Sequence, residues 1–258
     1  MLKSFAERFR SRERLLGTFV KTPTSHACEI LGEVGMDFAI IDQEHAPIGR
    51  SALDQMLLGC RASGLAGLVR VPSPGDVLCA LDTGAAGVLV PHVHGAERAR
   101  QVVAAARYRG GERGFSNTNR AGAYGGRGMH DHIARQDRDI LVLAMIEDAV
   151  ALDHLDGILA TAGLDGIFIG QGDLTVSMGA ESARAPVVRD AVARILAAAR
   201  QAGKPVCIMV GDVQGATAFE AQGASAFVVS NDQGLMRQGA VRLVDDFRTM
   251  PTPAEGTR

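Results

Sequence analysis

The stretch Ile40-Ile41-Asp42-Gln43-Glu44-His45-Ala46-Pro47 sets two carboxylates and an imidazole within four positions, directly after the apolar run Phe38-Ala39-Ile40-Ile41. An apolar run bounded by polar residues reads as a buried parallel strand. Folding does not require three ionisable groups at its end, because charge taken out of water is costly unless paired or bound to metal. The arrangement recurs along the chain. A strand at Gly67–Val71 carries Arg70 near its end, one at Ile140–Ile146 delivers Glu147, and one at Gly166–Gly170 leads to Asp173. Each residue alone has an ordinary explanation, since acidic side chains suit helix N-termini and an arginine can serve an ion pair. Four strands needing such a residue at one rim make a site the better reading.

Two carboxylates from neighbouring strand ends, with no cluster of Cys or His, suit a hard divalent cation. Mg²⁺ or Mn²⁺ takes one or two carboxylates and keeps positions for water and substrate oxygens, with Co²⁺ as a further candidate. Arg70 offers the planar fork that grips a carboxylate in two places. His45 is the side chain whose ordinary pKa best suits proton transfer near neutral pH. Cation, clamp and base together point to enolate chemistry on a 2-oxo acid, the cation polarising the keto oxygen. Lys21 follows the first strand and leaves a Schiff-base aldolase open as an alternative. His92-Val93-His94 and His130-Asp131-His132 resemble metal pairs but read as rim or loop histidines, His92 being the one placed to line the rim.

The elements that must hold these groups alternate from end to end. Strands are expected at Leu15–Val20, Phe38–Asp42, Gly67–Val71, Gly87–Pro91, Ile140–Ile146, Gly166–Gly170, Pro205–Val210 and Ala226–Val229. Helical spacing lies between them, most clearly in Val188, Val192, Ile195, Leu196 and Ala199. Arg109 to Arg127 breaks the rhythm with Gly, Arg and Asn, and a long loop inside a domain is usually functional or mobile. About eight β/α units without a linker predict a single α/β domain over residues 1–258, a (β/α)8 TIM barrel. Barrel enzymes place their chemistry at the C-terminal strand ends, where the polar groups fall. A doubly wound sheet is the alternative, but no Gly-x-Gly-x-x-Gly follows the first strand.

Composition narrows the function classes. The 258 residues are 47% hydrophobic and 22% charged, with a net charge of −2, no Trp and two Tyr. No basic patch interleaved with aromatics is present, so nucleic acid is not an expected partner. The four cysteines (Cys28, Cys60, Cys79, Cys207) lack CxxC spacing and read as free thiols of a reducing cytoplasm. The charged start lacks the apolar stretch of a signal peptide, and no apolar run reaches a membrane span. A cytoplasmic protein without membrane partners is expected.

Five blocks in order then resemble one family: Gly35-Met-Asp-Phe-Ala-Ile-Ile-Asp-Gln-Glu-His-Ala-Pro47, Leu68-Val-Arg-Val-Pro72, Leu81-Asp-Thr-Gly-Ala-Ala-Gly-Val-Leu-Val-Pro91, Ile146-Glu147 and Asp165-Gly-Ile-Phe-Ile-Gly-Gln-Gly-Asp-Leu174. They are similar to the HpcH/HpaI aldolases, metal-dependent class II pyruvate aldolases on a barrel of the phosphoenolpyruvate/pyruvate-binding type. The resemblance implies that Glu147 and Asp173 hold a divalent metal and that Arg70 binds the pyruvate carboxylate and keto oxygen. It implies a proton-transfer dyad of His45 with Asp82, supported by Asp42 and Glu44, and a substrate carboxylate met by the amides of Gly172 and Asp173. It further implies a homo-oligomer, hexameric in typical members, with a C-terminal helix exchanged between subunits. Two departures concern the aldehyde partner: Met145 stands where many relatives carry Gln, and Gly170-Gln-Gly-Asp173 replaces Gly-Pro-Ala-Asp. The expected reaction is cleavage of a 4-hydroxy-2-oxo acid to pyruvate and an aldehyde. The alternatives are a citrate-like or CoA-ester lyase or condensing enzyme, and a non-catalytic relative that binds 2-oxo acids.

Overall fold

Successive side chains of a strand point to opposite faces, and the strands here are apolar on both, so each must be covered from both sides. The computed structural model, which describes residues 3–250, meets that demand with eight parallel strands closed into a barrel in sequence order. The strands are β1 (Leu15–Val20), β2 (Phe38–Asp42), β3 (Ala66–Arg70), β4 (Gly87–Val90), β5 (Leu141–Ile146), β6 (Gly166–Ile169), β7 (Val206–Val210) and β8 (Ala226–Asn231). The helices are α1 (Phe5–Arg10), α2 (Ser25–Glu33), α3 (Arg50–Ala62), α4 (Val77–Asp82), α5 (Ala96–Ala106), α6 (Met129–Asp139), α7 (Leu155–Leu159), α8 (Gln171–Ser177), α9 (Pro186–Gln201), α10 (Val213–Glu220) and α11 (Asp232–Arg248).

The core divides by strand parity. Leu15, Phe19, Phe38, Ile40, Leu68, Leu89, Leu141, Leu143, Met145 and Phe168 fill the barrel, while Ala39, Ile41, Val69, Val88, Val142 and Ile167 face the helices. Gly17 makes room for this filling: a Cβ there would lie 2.6 Å from the Phe38 ring. Phe9 of α1 joins the interior cluster from the N-terminal end of the barrel.

One expectation changes. His130 and His132, read as loop histidines, lie on α6, where His132 is fully buried with Nε2 3.1 Å from the Tyr108 hydroxyl. The connection from β5 to β6 runs through a 3-10 segment, Ala149–His154, followed by the short α7. The N-terminal segment carries α1, held by a capping box in which Ser4 and Glu7 satisfy one another's backbone amides.

Candidate active site

The same parity that fills the barrel sets the chemistry at its mouth. Phe38 and Ile40 point inward, so Asp42 does too. Leu68 is followed by Arg70, Phe19 by Lys21, and Leu141, Leu143 and Met145 by Glu147. Asp42 and Arg70 are register partners across β2 and β3. Arg70 Nε donates to Asp42 Oδ1 (2.9 Å) and Nη2 to Oδ2 (2.7 Å), a two-point pair with Asp42 fully buried. The backbone amides of Glu44 and His45 donate to Asp42 Oδ1 as well, at 3.2 and 3.1 Å. Burial alone would push the Asp42 carboxyl up, but Arg70, the His45 amide and the Lys21 charge outweigh it and hold it below its ordinary value. The Arg70 guanidinium also lies over the Phe19 ring, 4.8 Å from its centroid. Its plane is therefore fixed from two sides.

Beside this pair the mouth carries more negative charge than it neutralises. Glu147 is 2% exposed. A Cβ at Gly170 would come within 2.8 Å of Glu147 Oε2 and of Met145 Cε, so only glycine lets that carboxylate lie against the end of β6. Burial, with Asp173 and Glu44 nearby, pushes the Glu147 carboxyl up to about 7, although the His92 backbone amide (2.8 Å) opposes this. His92 adopts a left-handed backbone (φ 54°), uncommon outside glycine although His is among the side chains that enter it most readily. Its Nδ1 sits 3.2 Å from Asp148 Oδ2 and 3.5 Å from Glu147 Oε1, and its Nε2 3.8 Å from Glu44 Oε1. Burial lowers the His92 pKa, but these acids together raise it by more, and the net change is upward.

Among the described residues no group of three or more His, Cys, Asp and Glu side chains is disposed to enclose a metal ion. The donor set fits a hard divalent cation held by two carboxylates, with the rest of its shell left to water and substrate. The buried Glu147, loaded with charge it does not favour in isolation, is the observation that supports this fit.

Of the expected residues, Arg70, His45, Gly172 and Asp173 line one cavity of about 400 Å³ at the mouth. Phe19, Met145, Phe168 and Met209 form its apolar wall. Glu44 approaches from the rim, its Oε2 3.3 Å from Arg70 Nη1 and 3.7 Å from His45 Nε2. Asp82 is the exception. It ends α4, its Oδ1 accepts from Arg113 Nη2 (2.8 Å), and it lines a different cleft with Thr83, Asn119 and Arg120. Within one chain Asp82 therefore forms no dyad with His45. Arg113 itself is sealed in the 109–127 loop, over the Tyr108 ring at 4.5 Å. The sequence alone gives too little weight to Lys21 and His92, both at the mouth. The signal for Lys21 is strand parity, and for His92 its position just beyond β4.

The HpcH/HpaI aldolase/citrate lyase family profile matches residues 15–238. The 5-keto-4-deoxy-D-glucarate aldolase of Salmonella arizonae is 35% identical over 224 residues, covering 85% of this chain and 87% of the relative. Among solved structures, an HpcH/HpaI aldolase/citrate lyase family protein from Burkholderia cenocepacia J2315 superposes with a TM-score of 0.89 at 31% identity, over 95% of this chain and 98% of that one. Citrate synthase SbnG gives 0.86 at 28% identity, over 95% and 98%.

Proposed function

The chain belongs to the HpcH/HpaI aldolase/citrate lyase family, and from that premise we propose that it is a divalent-metal-dependent aldolase cleaving 4-hydroxy-2-oxo acids to pyruvate and an aldehyde. One observation carries the reading: Glu147, a buried carboxylate pushed up to about 7 with Asp173 nearby, lies against Gly170 just behind a cavity that Asp173, Arg70 and His45 line. The relatives named as aldolases of a keto-deoxy sugar acid support it.

Glu147 and Asp173 would hold Mg²⁺, Mn²⁺ or Co²⁺, which when bound supplies a Lewis acid for the keto oxygen. Arg70, its plane fixed by Asp42 and Phe19, offers its remaining guanidinium hydrogens to the substrate's 2-oxo-acid end. The amides of Gly172 and Asp173 would receive the carboxylate. His45, half exposed beside Glu44, takes the proton of the 4-hydroxyl. As the C3–C4 bond breaks, its electron pair passes to the pyruvate half as the enolate, and the 4-carbon leaves as an aldehyde. Asp42 and Glu44 orient Arg70 and His45. A role for Asp82 as partner of His45 would have to be filled between two copies of the chain. α11 suits such an assembly, because Met236, Leu243 and Phe247 are 71%, 61% and 70% exposed, and exchange of this helix between subunits of a homo-oligomer, such as a hexamer, would cover them.

The likeness to citrate synthase SbnG supports one second reading, a citrate-like lyase or condensing enzyme with the same enolising half-site. Pyruvate in deuterated buffer tests what both share. With Mn²⁺ the methyl protons are expected to exchange, and a chelator should stop this; a protein that only binds 2-oxo acids exchanges none. Condensation of that enolate with simple aldehydes then favours the aldolase.

A further inference from the structure

Lys21 is a cation at the mouth to which the reaction above gives no task. Its main chain is anchored: the Lys21 and Thr22 amides donate to Asp232 Oδ1 and Oδ2 at 2.8 and 3.0 Å. The side chain follows Phe19 on the inward face and lines the same cavity as Arg70 and Asp173, with 27% of its surface exposed. The nearest carboxylate oxygen is Asp42 Oδ2, at 3.4 Å.

Asp42 does not need it. Asp42 Oδ1 already accepts from Arg70 Nε and from the Glu44 and His45 amides, and Oδ2 accepts from Arg70 Nη2 at 2.7 Å. The Lys21 ammonium is held only by its long ion pair with Asp42 and makes no hydrogen bond with it, so its three donors are open to a ligand. Arg70 spends Nε and Nη2 on Asp42 and turns Nη1 to Glu44. The wall formed by Met145, Phe168 and Met209 offers an anion nothing. A ligand filling this cavity with one carboxylate on Arg70 finds, for a second anionic group, one ammonium with free donors.

We infer that Lys21 is a specificity-determining residue that binds a carboxylate on the aldehyde-derived half of the substrate, so that acidic aldehydes are preferred to neutral ones of the same size. The inference rests on the aldolase reading and deepens it. It involves no covalent step, only a charge-assisted hydrogen bond formed as the lysine swings from Asp42 towards the ligand.

The test compares glyoxylate with glycolaldehyde, two small aldehydes differing in charge, as acceptors for pyruvate with the full-length Mn²⁺-loaded protein. Wild type is expected to favour glyoxylate in kcat/KM. Lys21→Met should lower the glyoxylate-to-glycolaldehyde ratio at least about tenfold, the worth of one hydrogen bond to a charged group. Lys21→Arg, which keeps the charge, should restore most of the ratio. An unchanged ratio in Lys21→Met, with both acceptors slowed together, overturns the inference and makes Lys21 a support of the Asp42–Arg70 pair. A wild type without any preference overturns it equally. Deuterium exchange into pyruvate alone, run in parallel, separates these results from failure of the aldolase reading: wild type that exchanges but ignores acceptor charge sinks only the lysine assignment, and wild type that does not exchange sinks both.

Discussion

Both ends of the barrel bury an arginine–aspartate pair, and they use it in opposite ways. At the N-terminal end Asp165 Oδ1 accepts from Arg10 Nε (2.8 Å), and Oδ2 accepts from Arg107 Nη2 (2.7 Å) and the Val142 amide (2.8 Å). The two guanidiniums also donate to carbonyls of Arg138, Ile140, Asp137 and Gly163. Both oxygens of Asp165 are matched there, so no carboxylate is left over to meet a ligand. At the mouth, Asp42 and Arg70 are matched as tightly, but Glu44, Glu147, Asp148 and Asp173 crowd round them with Lys21 and two histidines as the other basic groups. The closed network staples strands and helices together. The open one stores unfavourable charge that a cation and an anionic substrate can relieve.

Removing one partner from each end should expose this difference. Asp165→Ala leaves the buried Arg107 and the partly exposed Arg10 without their acid and should cost about 3 kcal/mol in urea unfolding, the scale of a broken buried pair, with turnover per folded molecule retained. Glu147→Gln should do the reverse in metal-free protein at pH 8. There the wild-type side chain is buried as an anion against its tendency to hold a proton to about 7, so the amide leaves stability unchanged or higher while deuterium exchange is lost. If both variants destabilise alike, the contrast between the two ends fails.

A smaller effect separates the matched pair at the mouth from its surroundings. The folded Asp42 carboxyl lies below its ordinary 3.8, so its contribution is complete above that value and is lost as pH falls through the folded one. In Arg70→Met burial dominates and the folded value rises, so that variant regains stability on acidification as Asp42 takes up a proton. The stability gap between wild type and Arg70→Met should therefore narrow as pH falls below neutrality, and the narrowing is complete only once pH is below the folded wild-type value. The narrowing amounts to about 1.4 kcal/mol for every tenfold difference in the proton affinity of Asp42 between the two folded proteins. A gap that widens instead would show that Arg70 does not govern Asp42.

Strand parity is why so much of the site is legible in the sequence. An alternation read over five residues places Asp42 and Arg70 inward as surely as Ile40 and Leu68, and the recurrence of acids at strand ends marks the rim. What parity cannot reach depends on distant or irregular backbone. Asp82 reads as a partner of His45 only through resemblance, and in the folded chain its ion pair is with Arg113, from a loop whose composition has no period. His92 touches Glu147 because its own backbone turns left-handed beyond β4, a conformation its side chain does not advertise. α1 has its signal in Ser4 and Glu7, but the charged residues around them obscure it. α6 follows a Gly-rich stretch and buries His132 against Tyr108, a contact set by the loop's path rather than by local pattern.

The most direct test of the central claim is Mn²⁺ binding followed by electron paramagnetic resonance in the wild-type protein, Glu147→Ala and Asp173→Ala. The prediction is one tight site per chain in wild type, lost in both variants while their circular dichroism is preserved. Undiminished Mn²⁺ binding in both folded variants would contradict it.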